Sequence, residues 1–155
     1  MIDFEDIKNR TTNIQGYIDN LPEKDRDLLL EAYKGYTINE DAANELRPLL
    51  KDLRVVIFSA AWCGDCKRAM QVLLHLEREY GLNAMVFGGI KTDPLNKDVQ
   101  WRVPPSPPEI NEWGATAIPW IVFFDSNGNK VATLIEKPHV KETLEEEMLY
   151  ILKNK

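Results

Sequence analysis

Cys63 and Cys66 are the two cysteines of the chain, and they stand three positions apart in the run Trp62-Cys63-Gly64-Asp65-Cys66-Lys67. That spacing suits chemistry better than stability, because a stapling disulfide closes a longer loop and small extracellular scaffolds carry several. Ahead of the pair, Val55-Val56-Ile57-Phe58 is a short apolar run rich in β-branched residues, the pattern of a strand covered on both faces. Behind it, Met70, Leu73, Leu74, Leu76 and Tyr80 recur at helical spacing until Gly81, a natural helix stop. The pair is therefore expected on a strand-to-helix turn. Free amides and the positive end of the helix dipole favour a thiolate there. Thiolate is the attacking species in disulfide exchange. One helical turn keeps the second sulfur in reach, since a disulfide spans Cα separations of roughly 4.4–6.8 Å. Cys63 is assigned as nucleophile and Cys66 as resolving thiol.

A metal site is the competing chemistry. Zinc prefers four ligands, and His75 and His139 are the only histidines. His75 follows Cys66 by roughly 13 Å along the same helix at about 1.5 Å per residue, too far to share an ion. Neither histidine has zinc-finger spacing, so both read as ordinary surface or helix-end residues and no metal is expected. Two cysteines from each of two chains holding one ion stays open as the metal alternative. Two unreactive, packed cysteines are the plainest reading, and the turn location weighs against it.

The positioning elements follow from periodicity. Phe4, Ile7, Ile14 and Ile18 share one helical face. Pro22, Glu23 and Asp25 suit a second helix start, with Leu28, Leu29, Ala32 and Tyr33 as its apolar side. Thr37-Ile38-Asn39-Glu40 fits a capping box for a third helix, which Pro48 is expected to end or kink near Arg47. After the active-site helix, Ala84-Met85-Val86-Phe87 reads as a strand. The proline-rich stretch from Asp93 to Glu112 reads as loop. Trp120–Phe124 and Val131–Ile135 read as strands joined by the turn Asp125-Ser126-Asn127-Gly128-Asn129. Val140, Leu144, Met148, Ile151 and Leu152 mark a last amphipathic helix, with Glu145-Glu146-Glu147 as its solvated face. That turn lacks the later bidentate Glu of a calcium loop.

Hydrophobic content of 44% with 28% charged residues is globular composition, which argues against disorder. A net charge of −6 argues against nucleic acid, whose binding needs clustered Lys and Arg. The acidic start Met1-Ile2-Asp3-Phe4-Glu5-Asp6 lacks a signal peptide's basic and apolar regions. No run reaches the roughly 18 apolar residues of a membrane span. The expectation is a cytoplasmic protein without membrane partners.

Trp62-Cys63-Gly64-Asp65-Cys66-Lys67 closely resembles the Trp-Cys-Gly-Pro-Cys-Lys signature of thioredoxins, and Ala117-Ile118-Pro119 before a strand resembles their cis-proline segment. The order of the later strands and helix matches as well, so the resemblance covers roughly residues 53 to 153. It implies an α/β thioredoxin-like fold, a mixed sheet flanked by helices. The expected organisation is a helical N-terminal extension over 1–52, packed on the same domain, and a thioredoxin-like domain over 53–155. The extension is similar to that of a subgroup with a longer lead-in. The resemblance further implies that Pro119 is cis and faces the cysteines, and that Trp62 and the backbone of Ile118 contact substrate. A trans proline that merely starts a strand is the alternative. The implied activity is thiol–disulfide oxidoreduction in cell redox homeostasis. It needs no cofactor, and its partners are a disulfide-containing protein substrate and an electron donor such as a thioredoxin reductase or a small thiol.

Three departures from the thioredoxin pattern matter. The buried Asp of the strand before the active site is Ile57 here, and its partner Lys is Gly89, which leaves proton handling to water or a carboxylate such as Asp65. Asp65 itself replaces the usual proline. Its charge raises a neighbouring thiol pKa, whereas the helix end opened by Gly64 and the cations Lys67 and Arg68 lower it. The segment 93–118 is longer, and its Trp101, Arg102, Trp113 and prolines either shape a substrate groove or pack on the body. The rival function is a redox-sensing binding module, in which the Cys63–Cys66 pair switches partner affinity without turnover.

Overall fold

The computed structural model describes residues 2–92, 95, 101 and 105–154. Helices α1 (Phe4–Arg10), α2 (Ile14–Asp19), α3 (Glu23–Gly35) and α4 (Glu40–Leu50) precede strand β1 (Arg54–Phe58). Helix α5 (Gly64–Glu79), β2 (Ala84–Phe87), the short α6 (Glu109–Glu112), β3 (Trp120–Phe124), β4 (Lys130–Ile135) and α7 (Leu144–Lys153) follow. The sheet order is β2-β1-β3-β4, with β1 parallel to β2 and antiparallel to β3, and β3 antiparallel to β4. It is the expected mixed sheet with helices and a helical N-terminal segment. No helix among the described residues is long and apolar enough to cross a membrane.

The pleat sends alternate side chains into two cores. Val55, Ile57, Ile121 and Phe123 pack against α2, α3, α4, α5 and α7. Val56, Phe58, Val122 and Phe124 face the other way, with Ile7, Trp101 and Ile110. β1 is central and almost wholly buried, so its apolar run needs no alternation.

Several details correct the sequence reading. The first helical face is two helices: Thr11 bonds back to Ile7 at 2.8 Å, and Asn13 restarts the chain by capping Gly16. Glu77 of α5 adds a second cap, accepting the amides of Ile14 and Gln15 at 2.8 and 3.0 Å. Thr12 in the break exchanges backbone bonds with Val86, so the extension covers the β2 edge. Asn39, not Thr37, caps α4 by accepting from Ala42, and that helix runs through Pro48 to Leu50. Burial of Leu46 and Leu50 on either side anchors the last turn, where only one hydrogen bond is lost to the proline. On α3 the packed face is Leu29, Leu30 and Tyr33, while Leu28 and Ala32 face solvent. Val140 is exposed and precedes α7, which Thr143 caps.

The largest correction concerns Glu145 and Glu147, read from sequence as solvated. Both are buried. Glu145 accepts from the Tyr36 hydroxyl and the Asn39 amide at 2.7 and 2.8 Å, joining the start of α4 to α7. Glu147 accepts the amides of His139, Val140 and Lys141. Burial favours its neutral form, but those three bonds outweigh it and hold the carboxyl below its ordinary pKa.

Candidate active site

β1 ends at Phe58, and Ser59–Trp62 carry the chain to Cys63, the N-cap of α5. The Cys63 sulfur occupies the place that a Ser or Thr oxygen takes in an ordinary cap, accepting the Cys66 amide at 3.1 Å. Cys63 is 8% exposed and Cys66 fully buried beneath it, both as free thiols. The Cys66 thiol donating to Cys63 is the strongest influence on Cys63. Together with the Cys66 and Asp65 amides it outweighs burial and the Asp65 carboxylate, lowering Cys63 to about 7. Burial, followed by its role as donor to Cys63, pushes the Cys66 thiol far up. The two sulfurs are thus driven apart in acidity: one ionises near neutrality while its neighbour keeps its proton.

Ile118 lies against this pair, and the buried Pro119 follows it. The Ile118–Pro119 peptide is cis, and the Cys63 thiol donates to the Ile118 carbonyl at 3.5 Å. Trp62 is 58% exposed beside the cysteines, its indole N–H fixed to the Ile90 carbonyl at 2.8 Å. Gly64 opens α5, and a Cβ there would meet only the Arg68 guanidinium at 3.7 Å. Asp65 is ion-paired with Arg68. Lys67 turns away to Asp25 of α3 at 3.3 Å, tying the active-site helix to the extension. The tuning ascribed to Lys67 and Arg68 is therefore shared with carboxylates that neutralise them.

Neither histidine approaches a ligand role. His75 stacks on Tyr33 with ring centroids 4.0 Å apart and bonds its carbonyl, and His139 bonds the Ile135 carbonyl. Among the described residues, no group of three or more His, Cys, Asp or Glu side chains could hold a metal. Asp125 accepts the amides of Asn127 and Asn129, an Asx turn closing the β3–β4 hairpin. Of the segment 93–118, Pro94, Arg102 and Pro104 lie outside the described residues. Trp101 is buried and donates to Ala115, and Trp113 packs edge-on against Phe58 and Phe124. Both tryptophans pack on the body.

Two residues of the site escaped sequence reasoning. Ser59 is fully buried at the end of β1, and its hydroxyl donates to the Tyr17 hydroxyl of α2 at 2.9 Å. Ser59 carried a signal, a hydroxyl directly after an apolar strand and before the cysteines. Tyr17 carried none, standing far back in what reads as an ordinary apolar helix face.

The family model described as thioredoxin matches residues 11–149, so the match takes in most of the N-terminal helices as well as the sheet. The M-type chloroplastic thioredoxin of Pisum sativum is 29% identical over 111 residues, covering 72% of this chain and 56% of that protein. The chain therefore spans little more than half the length of that relative. A Pseudomonas aeruginosa protein of unknown function superposes with a TM-score of 0.71 at 12% identity, over 99% of each chain. An HIV epitope scaffold superposes with a TM-score of 0.66 at 11% identity, over 97% of this chain and 88% of that one. At such identities the two structures speak for the fold alone.

Proposed function

The chain belongs to the thioredoxin family, and from that premise we propose that it reduces or exchanges protein disulfides through Cys63 and Cys66. The observation that carries this is the geometry at the N-terminus of α5, where the Cys63 sulfur caps the helix by accepting the Cys66 amide at 3.1 Å and the Cys66 thiol lies buried beneath it. Cys63 thiolate attacks one sulfur of a substrate disulfide, forming a mixed disulfide and expelling the other sulfur as thiolate. Cys66 then loses its proton and attacks Cys63. The second substrate sulfur leaves, and the protein holds the Cys63–Cys66 disulfide.

Trp62, Ile118 and Pro119 form the substrate-facing surface, supported by the exposure of the indole and by the Ile118 carbonyl facing Cys63. Gly64, Asp65 and Lys67 set the local field. The pair is regenerated by a thioredoxin reductase or a small thiol, and a reducing compartment, the cytoplasm, suits that cycle. The segments 1–52 and 53–155 act as one unit, in keeping with the shared core and the Lys67–Asp25 contact.

Insulin reduction tests the proposal. Substoichiometric protein with dithiothreitol should accelerate precipitation over many turnovers, and Cys63→Ser should abolish the acceleration. A single stoichiometric thiol exchange without turnover would replace this reading with the redox-sensing module.

A further inference from the structure

The resolving step needs somewhere for the Cys66 proton to go, and the strand position of the usual buried acid holds Ile57, packed among aliphatic side chains. The carboxylates nearest the site are engaged elsewhere, Asp65 with Arg68 and Asp25 with Lys67. Two hydroxyls are present instead. Ser59 stands on the Cys66 side of the end of β1, where its hydroxyl favours the Cys66 thiolate, and it donates to Tyr17 at 2.9 Å. Tyr17 is held there by its own packing. A Cβ on Gly88 would come within 2.9 Å of ring carbons Cδ1 and Cε1, so a glycine at that position is what lets the ring lie against β2. Tyr17 also lines an open cleft of about 530 Å³ bounded by α2, Ala61, Gly88 and Gly89.

We infer that Ser59 and Tyr17 form the proton exit of Cys66, with Ser59 as a catalytic residue touching the reacting thiol and Tyr17 as a positioning residue that connects it to the cleft. The inference rests on the oxidoreductase reading. Once Cys63 is held in the mixed disulfide it no longer accepts the Cys66 proton, so the Cys66 S–H turns to Ser59 Oγ, Ser59 donates to Tyr17 Oη, and Tyr17 donates to water in the cleft. As Cys66 attacks, its proton passes to Ser59, the Ser59 proton to Tyr17, and the Tyr17 proton to water. The hydrogen bonds then all point back toward sulfur, and neither hydroxyl keeps a charge. The leaving substrate thiolate takes a proton from solvent, so protons and electrons balance. Burial holds the Tyr17 phenol up to about 12, which suits a relay that stays neutral. The titratable groups around the relay are Cys63 from the N-cap of α5, Asp25 from α3 and, lining the cleft with Tyr17, Arg10 from α1.

A symmetric aromatic disulfide, 5,5′-dithiobis(2-nitrobenzoate), separates the two steps in the full chain. One coloured thiolate leaves when Cys63 attacks and a second when Cys66 resolves. In Tyr17→Phe and Ser59→Ala the first release serves as the internal reference for the second, because neither hydroxyl bonds Cys63. The second should slow at least tenfold, in line with general acid–base contributions, and its pH profile should move to higher pH. Ser59→Ala deletes one oxygen and carries the test alone if Tyr17→Phe does not fold. A second release equal to the parent's in rate and pH profile would overturn the relay. A parent with no second release would remove the oxidoreductase reading and the relay together.

Discussion

Replacing Cys66 with alanine removes the largest influence on Cys63, and its effect can be worked through. A hydrogen bond to a charged group contributes roughly 1.5–3 kcal/mol, and a thiol is a weak donor. The low end corresponds to about one pKa unit at about 1.4 kcal/mol per unit. Cys63, at about 7 with its partner, should then titrate near 8. At pH 7 the thiolate fraction falls from about one half to about one tenth. A more basic thiolate is the better nucleophile, by a factor of about 3 for one unit at a Brønsted slope near 0.45. The variant should therefore alkylate roughly twofold more slowly than the parent at pH 7 and roughly threefold more slowly at pH 6, yet about 2.5-fold faster at pH 9. The two curves should cross near pH 7.6 by the same arithmetic. Iodoacetamide modification followed by mass spectrometry from pH 5.5 to 10 measures both curves. Parallel profiles with one midpoint, or a parent midpoint at the ordinary 9.0, would refute the claim that the buried thiol beneath Cys63 drives its ionisation.

Asp65→Asn removes the carboxylate that opposes Cys63 ionisation and frees Arg68 from its ion pair. The alkylation midpoint should fall, and an unmoved midpoint would mean that the pair already cancels its own field. Glu147→Gln should cost roughly 1–3 kcal/mol at pH 7, read by urea unfolding, because an amide cannot accept three backbone N–H bonds as a carboxylate does. Since the folded-state pKa of Glu147 is depressed, its contribution is present above the ordinary carboxylate range and is lost as pH falls through the folded value. The gap between parent and variant should close over that acid window; a gap constant from pH 7 to pH 3 would contradict the assignment. Gly88→Ala places a methyl against the Tyr17 ring. It should destabilise by about 1–3 kcal/mol and slow the second thiolate release; an unchanged midpoint and rate would show that the ring has room to move.

The chemistry at the centre of this protein was legible in the linear chain because it is local. A β-branched strand, a cysteine one turn from another and a long amphipathic helix are neighbours in sequence, and backbone sterics with hydrophobic periodicity suffice to set the pair at a helix N-terminus. The boundaries of β2, β3 and α5 came through for the same reason. Folding decided the burial of Glu145, a residue in a run of three acids that only becomes interior because Tyr36 and Asn39, more than a hundred positions earlier, supply its donors. It decided equally that the Tyr17 hydroxyl meets Ser59 at the end of β1, across a glycine that yields the ring space. A polar side chain's cost of burial depends on which partners arrive from distant parts of the chain. No local pattern encodes that arrival, whereas the ionisation of Cys63 draws on the Cys66 thiol and the amides of its own helix turn and so was written into six consecutive residues.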